Sequence, residues 1–306
     1  MKSARPSLVL GAGALHDAEH AASLLTTAQE LGITQIDTST NHPDLPAVGQ
    51  SEYLIGHSHP AASSLAISTR VESDAAGRCP LNRGQVWESV KGSLQRLNVE
   101  SVDVLYIHAP DSETLLEQQA AAMDDLYRLG KFKRLGLANF SLIMLRDYLA
   151  ICRSRSYILP TLYLLTYNAL WRFPETKLVP FLRQNGITIV AQSPLAGGLL
   201  TGRFAPEHRR SEEKERYRMY NKPCFRTAAA DLVKLVSPAG MSPAEAGLRW
   251  LVWHSGLGEG DGVVLGGGRG EEVRRNVGAV ERGELPEEIV KGMERIWEGV
   301  REGVRR

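Results

Sequence analysis

Short apolar runs alternate with longer amphipathic ones along most of this chain, which is the pattern of repeated strand-helix units. Residues 7–10 read as a first strand, closed by Gly11-Ala12-Gly13, and residues 18–31 have helical spacing that stops at Gly32. A second strand ends at Asp37, followed by a polar loop and a short helix over 51–55. The third strand is 65–70 and the third helix 82–97. Residues 102–108 form a near-continuous apolar run, as expected of a strand buried on both faces. A helix over 112–129, a strand over 134–137, a helix over 141–153 and a short strand over 161–163 come next. A helix over 176–184 stops at Asn185-Gly186, and 188–192 is the seventh strand. Residues 202–224 break the rhythm, being long and highly charged; loops of this kind are usually functional or mobile. A helix over 243–253 precedes the eighth strand, 262–265, and helices from Glu271 and Pro286 finish the chain. Eight such units without a linker or low-complexity tract predict one domain over 1–306, an α/β (β/α)8 TIM barrel.

Composition narrows the class. A chain of 306 residues, 43% hydrophobic, can bury a large core, and a formal net charge of +1 offers no global field for nucleic acid or an acidic membrane. Cys79, Cys152 and Cys224 lie far apart with no CxxC pair, which argues against a disulfide framework or a cysteine-built zinc site and fits a reducing compartment. There is no apolar run of signal-peptide length at the start and none near the ~18 residues of a membrane span. The expectation is a cytoplasmic protein acting on a small molecule, with no nucleic-acid or membrane partner and an oligomeric state the sequence leaves open.

Candidate chemistry concentrates in Gln35-Ile36-Asp37-Thr38-Ser39-Thr40-Asn41-His42-Pro43. A carboxylate at the C-terminal end of a short strand sits where α/β folds place reactive groups. Asp37 and His42 are five apart, so a turn can bring both to one pocket; the plainer alternative is that Asp37 only caps the turn.

Further residues carry a resemblance. Ile36-Asp37-Thr38, Ser51-Glu52-Tyr53-Leu54-Ile55-Gly56, Leu105-Tyr106-Ile107-His108-Ala109-Pro110-Asp111, Gly130-Lys131 and Gly136-Leu137-Ala138-Asn139-Phe140 resemble the aldo-keto reductase superfamily. Leu159-Pro160-Thr161, Tyr167-Asn168 and the run from Ser193 through Pro194, Leu195 and Gly197 to Gly202 are most similar to the branch of aflatoxin-aldehyde reductases and their fungal relatives. The likeness runs in order from about Val9 to Asn276. It implies a (β/α)8 barrel that binds NADPH and reduces carbonyls with an aspartate, a tyrosine, a lysine and a histidine. Asp37 falls on the aspartate and His108 on the histidine, whereas His42 stands at the tyrosine position and Arg70 at the lysine position.

Two of four groups have therefore changed type. A phenol starts near pKa ~10 and needs help to give up a proton, while an imidazole starts near ~6.5 and does not. Arg70 keeps the positive charge and can pair with Asp37, but it cannot exchange a proton. The ring-binding wall departs as well: Ala138 replaces a serine, Leu164 a carboxamide-holding glutamine, and Gln192 the stacking aromatic, while Asn139 is retained. The resemblance also assigns Ser193, Leu195 and Gly197 to the cofactor. Residues 264–270 leave a strand, turn on glycines and enter a helix, which suits a phosphate or merely a flexible loop. Arg269 and Asn276 match positions that meet the adenosine 2'-phosphate and adenine, with Glu271 and Glu272 adding opposing charge.

Three functions are compatible with these residues. The first is redox-neutral acid-base chemistry in secondary metabolism, such as dehydration, isomerisation or cyclisation of a polyketide-like intermediate, needing no cofactor. His42 is then general base or acid, His108 the second acid or oxyanion donor, Arg70 a charge stabiliser, and Asp37 the orienter of Arg70 or His42. The second keeps NADPH-dependent carbonyl reduction with His42 as proton donor, and the third is a non-catalytic binding protein. Asp111 lines the pocket or caps a helix; Tyr163, Tyr167 and Trp171 divide between core and wall; Tyr217 and Tyr220 reach over the pocket as a lid. His57 and His59 lack a third ligand at metal spacing, so no metal is expected.

Overall fold

A computed structural model describes residues 5–12, 15–41, 47–58, 65–71, 80–202, 218–266 and 268–305. Its strands are β1 (Ser7–Gly11), β2 (Gln35–Asp37), β3 (Ala66–Arg70), β4 (Val102–Ile107), β5 (Phe132–Ala138), β6 (Pro160–Thr166), β7 (Thr188–Gln192) and β8 (Gly262–Gly266). All pair in parallel and in chain order, and β1 closes onto β8, so the barrel is complete. The helices are α1 (Ala18–Glu30), α2 (Gln50–His57), α3 (Arg83–Leu97), α4 (Leu116–Arg128), α5 (Leu142–Arg155), α6 (Leu178–Gln184), α7 (Pro223–Val236), α8 (Pro243–Trp253), α9 (Gly270–Glu281) and α10 (Glu287–Arg305). Among the described residues, no helix is long and apolar enough to cross a membrane.

Local chemistry sets four of these ten helix starts. Asp17, Asn82, Ser141 and Ser242 each accept a backbone N–H of the first turn through a side-chain oxygen, which satisfies one of the donors a helix start leaves orphaned. Two expectations shift. The helix expected from Ser112 begins at Leu116, because Asp111 and Gln119 take the backbone polar groups of the intervening turn. The helix expected from Thr176 begins at Leu178 behind a 3-10 turn at Phe173–Thr176. α7 has no counterpart among the expected elements, because its apolar stripe follows the charged segment directly and reads as that segment's continuation.

Strand alternation separates two apolar layers. Outward side chains such as Leu10, Ile36, Leu105, Leu135 and Leu165 pack under the helices. Inward ones form a smaller plug of Val9, Val104, Tyr106, Ala138, Leu162, Leu164, Val190 and Val264. Tyr106 is by far the largest of these, and Gly136 on the neighbouring strand makes room for it. A Cβ at Gly136 would come within 2.2 Å of Tyr106 Cδ1.

Two consequences are measurable. Gly136→Ala overpacks the plug and should lower unfolding free energy by about 1–3 kcal/mol in urea titrations. His254 ends α8 as its C-cap, and its Nε2 accepts the Leu285 N–H at 2.8 Å, which requires a neutral ring. Burial first, and Arg249 with it, lower its pKa from 6.5 against the opposing pull of Glu284. The folded form thus binds its proton less readily than the unfolded chain, so this contribution is complete above pH 6.5 and shrinks as pH falls below it. Urea midpoints should drop from pH 7 to 5, and His254→Gln should flatten that slope.

Candidate active site

The C-terminal strand ends bring Asp37 and Arg70 together. Asp37 pairs in register with Ser68, so Arg70, two residues on, shares its inward face. The Arg70 guanidinium makes an ion pair with Asp37 Oδ2, and the two side chains are only 10% and 11% exposed. Ser68 Oγ donates to the Ile36 carbonyl at 2.9 Å and lies 3.4 Å from Asp37 Oδ1. Arg70 Nε is buried and has no hydrogen-bond partner among the described residues. Each charge is held out of water by its partner, and removing one from such a pair typically costs about 3–5 kcal/mol.

Tyr106 lies directly alongside, in register with Arg70 on β4. Burial pushes its hydroxyl pKa well up, and Asp37 adds to the rise against Arg70 and Arg134. This phenol therefore stays protonated across the neutral range. The sequence reading did not pick it as a site residue. The signal was its parity with Val104 and His108 on one strand.

His108 follows β4 at the same mouth and is half-buried. Asn139, at φ 59° immediately after β5, donates Nδ2–H to the His108 carbonyl at 2.7 Å. Its amide thus braces the histidine segment. His42 lies outside the described residues, as do Tyr217, His59 and the charged run 209–216.

The wall next to this group is apolar. Ala138 and Leu164 are 0% and 2% exposed and belong to the inner plug, while Gln192 ends β7 half-buried. Ser193, Ala196, Gly197 and Gly198 all take positive φ, so the chain turns sharply beyond Leu195. Asn168 Nδ2 spans this turn and the segment beyond the charged run, donating to the Ser193 carbonyl at 2.9 Å and to Tyr220 Oη at 2.8 Å.

Beyond β8, Arg269 N-caps α9 without a side-chain cap bond. Asn276 Nδ2 donates to the Gly266 carbonyl at 3.1 Å, and Gly268 N–H donates to Glu272 Oε2 at 3.1 Å. A glycine turn before a helix start suits an anion. Here the chain's own carboxylate takes one of its N–H groups, and Glu271 adds a second negative charge in the first turn. Gly267 lies outside the described residues. Positions 138 and 164 present no donor to a carboxamide and 192 no ring to stack on a nicotinamide, so that end of the site fits NADPH poorly, while Asn139, Arg269 and Asn276 keep the residue types of the other matched positions.

Several expected roles differ in the structure. Asp111 neither lines the mouth nor caps a helix: its carboxylate accepts the Leu81 and Glu113 N–H groups at 3.0 and 2.9 Å and the Thr114 hydroxyl. Burial alone would raise its pKa, but these bonds outweigh it and hold the value below the usual carboxylate range. Tyr163 and Tyr167 belong to the core, their hydroxyls bonded to the Phe140 carbonyl and to Glu175. Tyr220 is no lid; it is fully buried against Trp171 and Phe225. His57 stacks on Tyr53 and bonds its carbonyl, and no cluster of three metal-ligating residues occurs among the described residues.

Known proteins with similar sequences fit this barrel. Residues 7–298 match the Aldo/keto reductase family. The chain is 34% identical over 296 residues to oxidoreductase sirO of Leptosphaeria maculans, covering 93% of this chain and 87% of that one. It is 32% identical over 316 residues to aflatoxin B1 aldehyde reductase member 2 of Rattus norvegicus, covering 96% and 85%. Aldo-keto reductase pigE of Monascus ruber is 29% identical over 218 residues, 65% of this chain and 62% of that one. A closed eight-stranded parallel barrel, Asp37 and His108 at its mouth and a match over nearly the whole length together make this chain a member of the aldo/keto reductase family.

Proposed function

We propose that this chain performs redox-neutral acid-base chemistry on a small oxygenated molecule, such as dehydration, isomerisation or cyclisation of a polyketide-like intermediate in secondary metabolism. The observation that carries the reading is the Asp37–Arg70 pair at the mouth. A guanidinium offers a fixed positive charge but no proton at neutral pH, so it suits a developing enolate oxygen and not a proton relay. Proton exchange then falls to imidazoles. His42 removes the proton next to the substrate carbonyl, the electron pair moves onto the carbonyl oxygen, and Arg70 faces that charge. His108 returns a proton at oxygen or carbon, and Tyr106, in register with Arg70, remains a neutral hydroxyl. Asp37 aims the guanidinium.

The apolar wall at Ala138 and Leu164 supports the same reading, because it leaves little to orient a nicotinamide. A second reading, an NADPH-dependent aldehyde or ketone reductase, is favoured by the names of the relatives, an oxidoreductase and an aldehyde reductase.

Calorimetry and absorbance separate the two. We expect weak or no NADPH binding and no substrate-dependent loss at 340 nm across an aldehyde panel; tight binding with steady NADPH oxidation would establish the reductase instead. Glu272→Gln should strengthen binding of 2',5'-ADP about two- to fivefold in the same calorimeter, since one opposing charge leaves the helix start. Once a substrate is found, Arg70→Met should lower kcat by about a hundredfold or more, while Arg70→Lys should retain part of it.

A further inference from the structure

We infer that Glu52, on the outer side of the barrel, is a positioning residue that holds Asp37 and Arg70 against each other from behind. The inference rests on the reading that this pair is the centre of the site, and it is independent of which reaction the site performs.

Glu52 lies on α2 and is fully buried. One carboxylate oxygen, Oε1, accepts the Thr69 hydroxyl at 2.6 Å. Thr69 immediately precedes Arg70 and, by strand alternation, faces outward where Arg70 faces in. The other oxygen, Oε2, accepts the Thr40 hydroxyl at 3.3 Å and the Arg96 guanidinium at 2.9 Å from Nε and 2.8 Å from Nη2. Thr40 stands three residues past Asp37. The two oxygens thus grip the chain next to each member of the pair.

The sheet leaves this work undone. β2 is three residues long, and its ladder with β3 ends at Asp37↔Ser68, with one more bond from Thr38 N–H to the Ser68 carbonyl at 2.9 Å. Past that point nothing in the ladder sets the distance between the segment after Asp37 and the end of β3. Arg96 extends the brace, donating to Thr40 Oγ1 at 3.2 Å and Ser93 Oγ at 3.3 Å. Gly49 closes the loop with an N–H to the Thr40 carbonyl at 2.6 Å. It has φ 76°, and a Cβ there would meet Arg96 Cδ at 2.3 Å, so both its conformation and its bareness are required.

Elementary energetics sharpens the case. A buried carboxylate paired with arginine is no more stabilising than a well-packed apolar pair of the same volume. What an apolar pair cannot do is set direction, since only hydrogen bonds with two defined oxygens fix both chain segments at once. Removing either threonine hydroxyl should therefore loosen the ion pair on the other side of the strand.

The readout is solvent exchange of the Arg70 Nε–H, followed in arginine-labelled protein by proton–nitrogen spectra and assigned by its loss in Arg70→Lys. Glu52→Gln and Thr69→Val should each speed that exchange about tenfold or more, and Thr69→Ser should restore the wild-type rate. Urea unfolding of each variant separates local loosening from lost global stability. Should Glu52→Gln not fold, Thr69→Val decides alone. If its Arg70 exchange stays at the wild-type rate, Glu52 is a core group only and the inference fails. NADPH oxidation by the protein would overturn the redox-neutral reading and leave this result untouched.

Discussion

Two opposite charges inside the mouth of an apolar barrel set the terms for everything near them. Asp37 and Arg70 are almost out of water, so each is tolerable only while the other stays in place. Their surroundings follow from that condition. Below them the plug is valine, leucine and alanine with one phenol, which excludes water from the charges' inner side. That phenol responds to the same field, its ionisation suppressed by burial and by the carboxylate. Behind the wall, Glu52, Arg96, Thr40 and Thr69 repeat the arrangement of charge, counter-charge and hydroxyl on the outer face.

The mouth also shows how side chains at strand ends can differ while the frame stays the same. Side chains at strand ends are free to vary because the ladders and the outer apolar layer carry the fold. Ala138 and Leu164 have turned part of the mouth into an extension of the plug, at no cost to the sheet. After β8, Glu272 supplies an internal anion to the Gly268 N–H. The barrel of the family persists, and of the nicotinamide-facing positions Asn139 keeps its polar side chain while 138 and 164 are apolar.

Distant elements reach the mouth through polar contacts as well. Arg172 is buried with its guanidinium 3.7 Å from the Trp250 ring centre, and it pairs with Glu294 on α10. It also bonds the Ala169 carbonyl at 3.0 Å, one residue from Asn168, which ties Ser193 to Tyr220. The C-terminal helix is in this way coupled to the turn beside Gln192, a coupling between residues more than a hundred positions apart in the chain.

Local and alternating patterns made the barrel legible from the sequence. Strand runs of fixed parity, helical spacing and glycine stops are short-range signals, and they survive any tertiary arrangement. The partnership of Asp37 with Arg70 was legible for the same reason, since both are placed by strand ends. The α7 helix, the core roles of Tyr163, Tyr167 and Tyr220, and the loop duty of Asp111 were not, because each depends on what another part of the chain puts opposite it. Glu52 shows this most clearly: within a helix turn it is one acidic residue among polar neighbours. Only the packing of α2 against β3 and α3 puts it at 0% exposure with Thr69 and Arg96 in reach. Periodicity along a chain records which face a residue takes, whereas hydrogen bonds between remote segments arise only when the closed barrel brings those faces together.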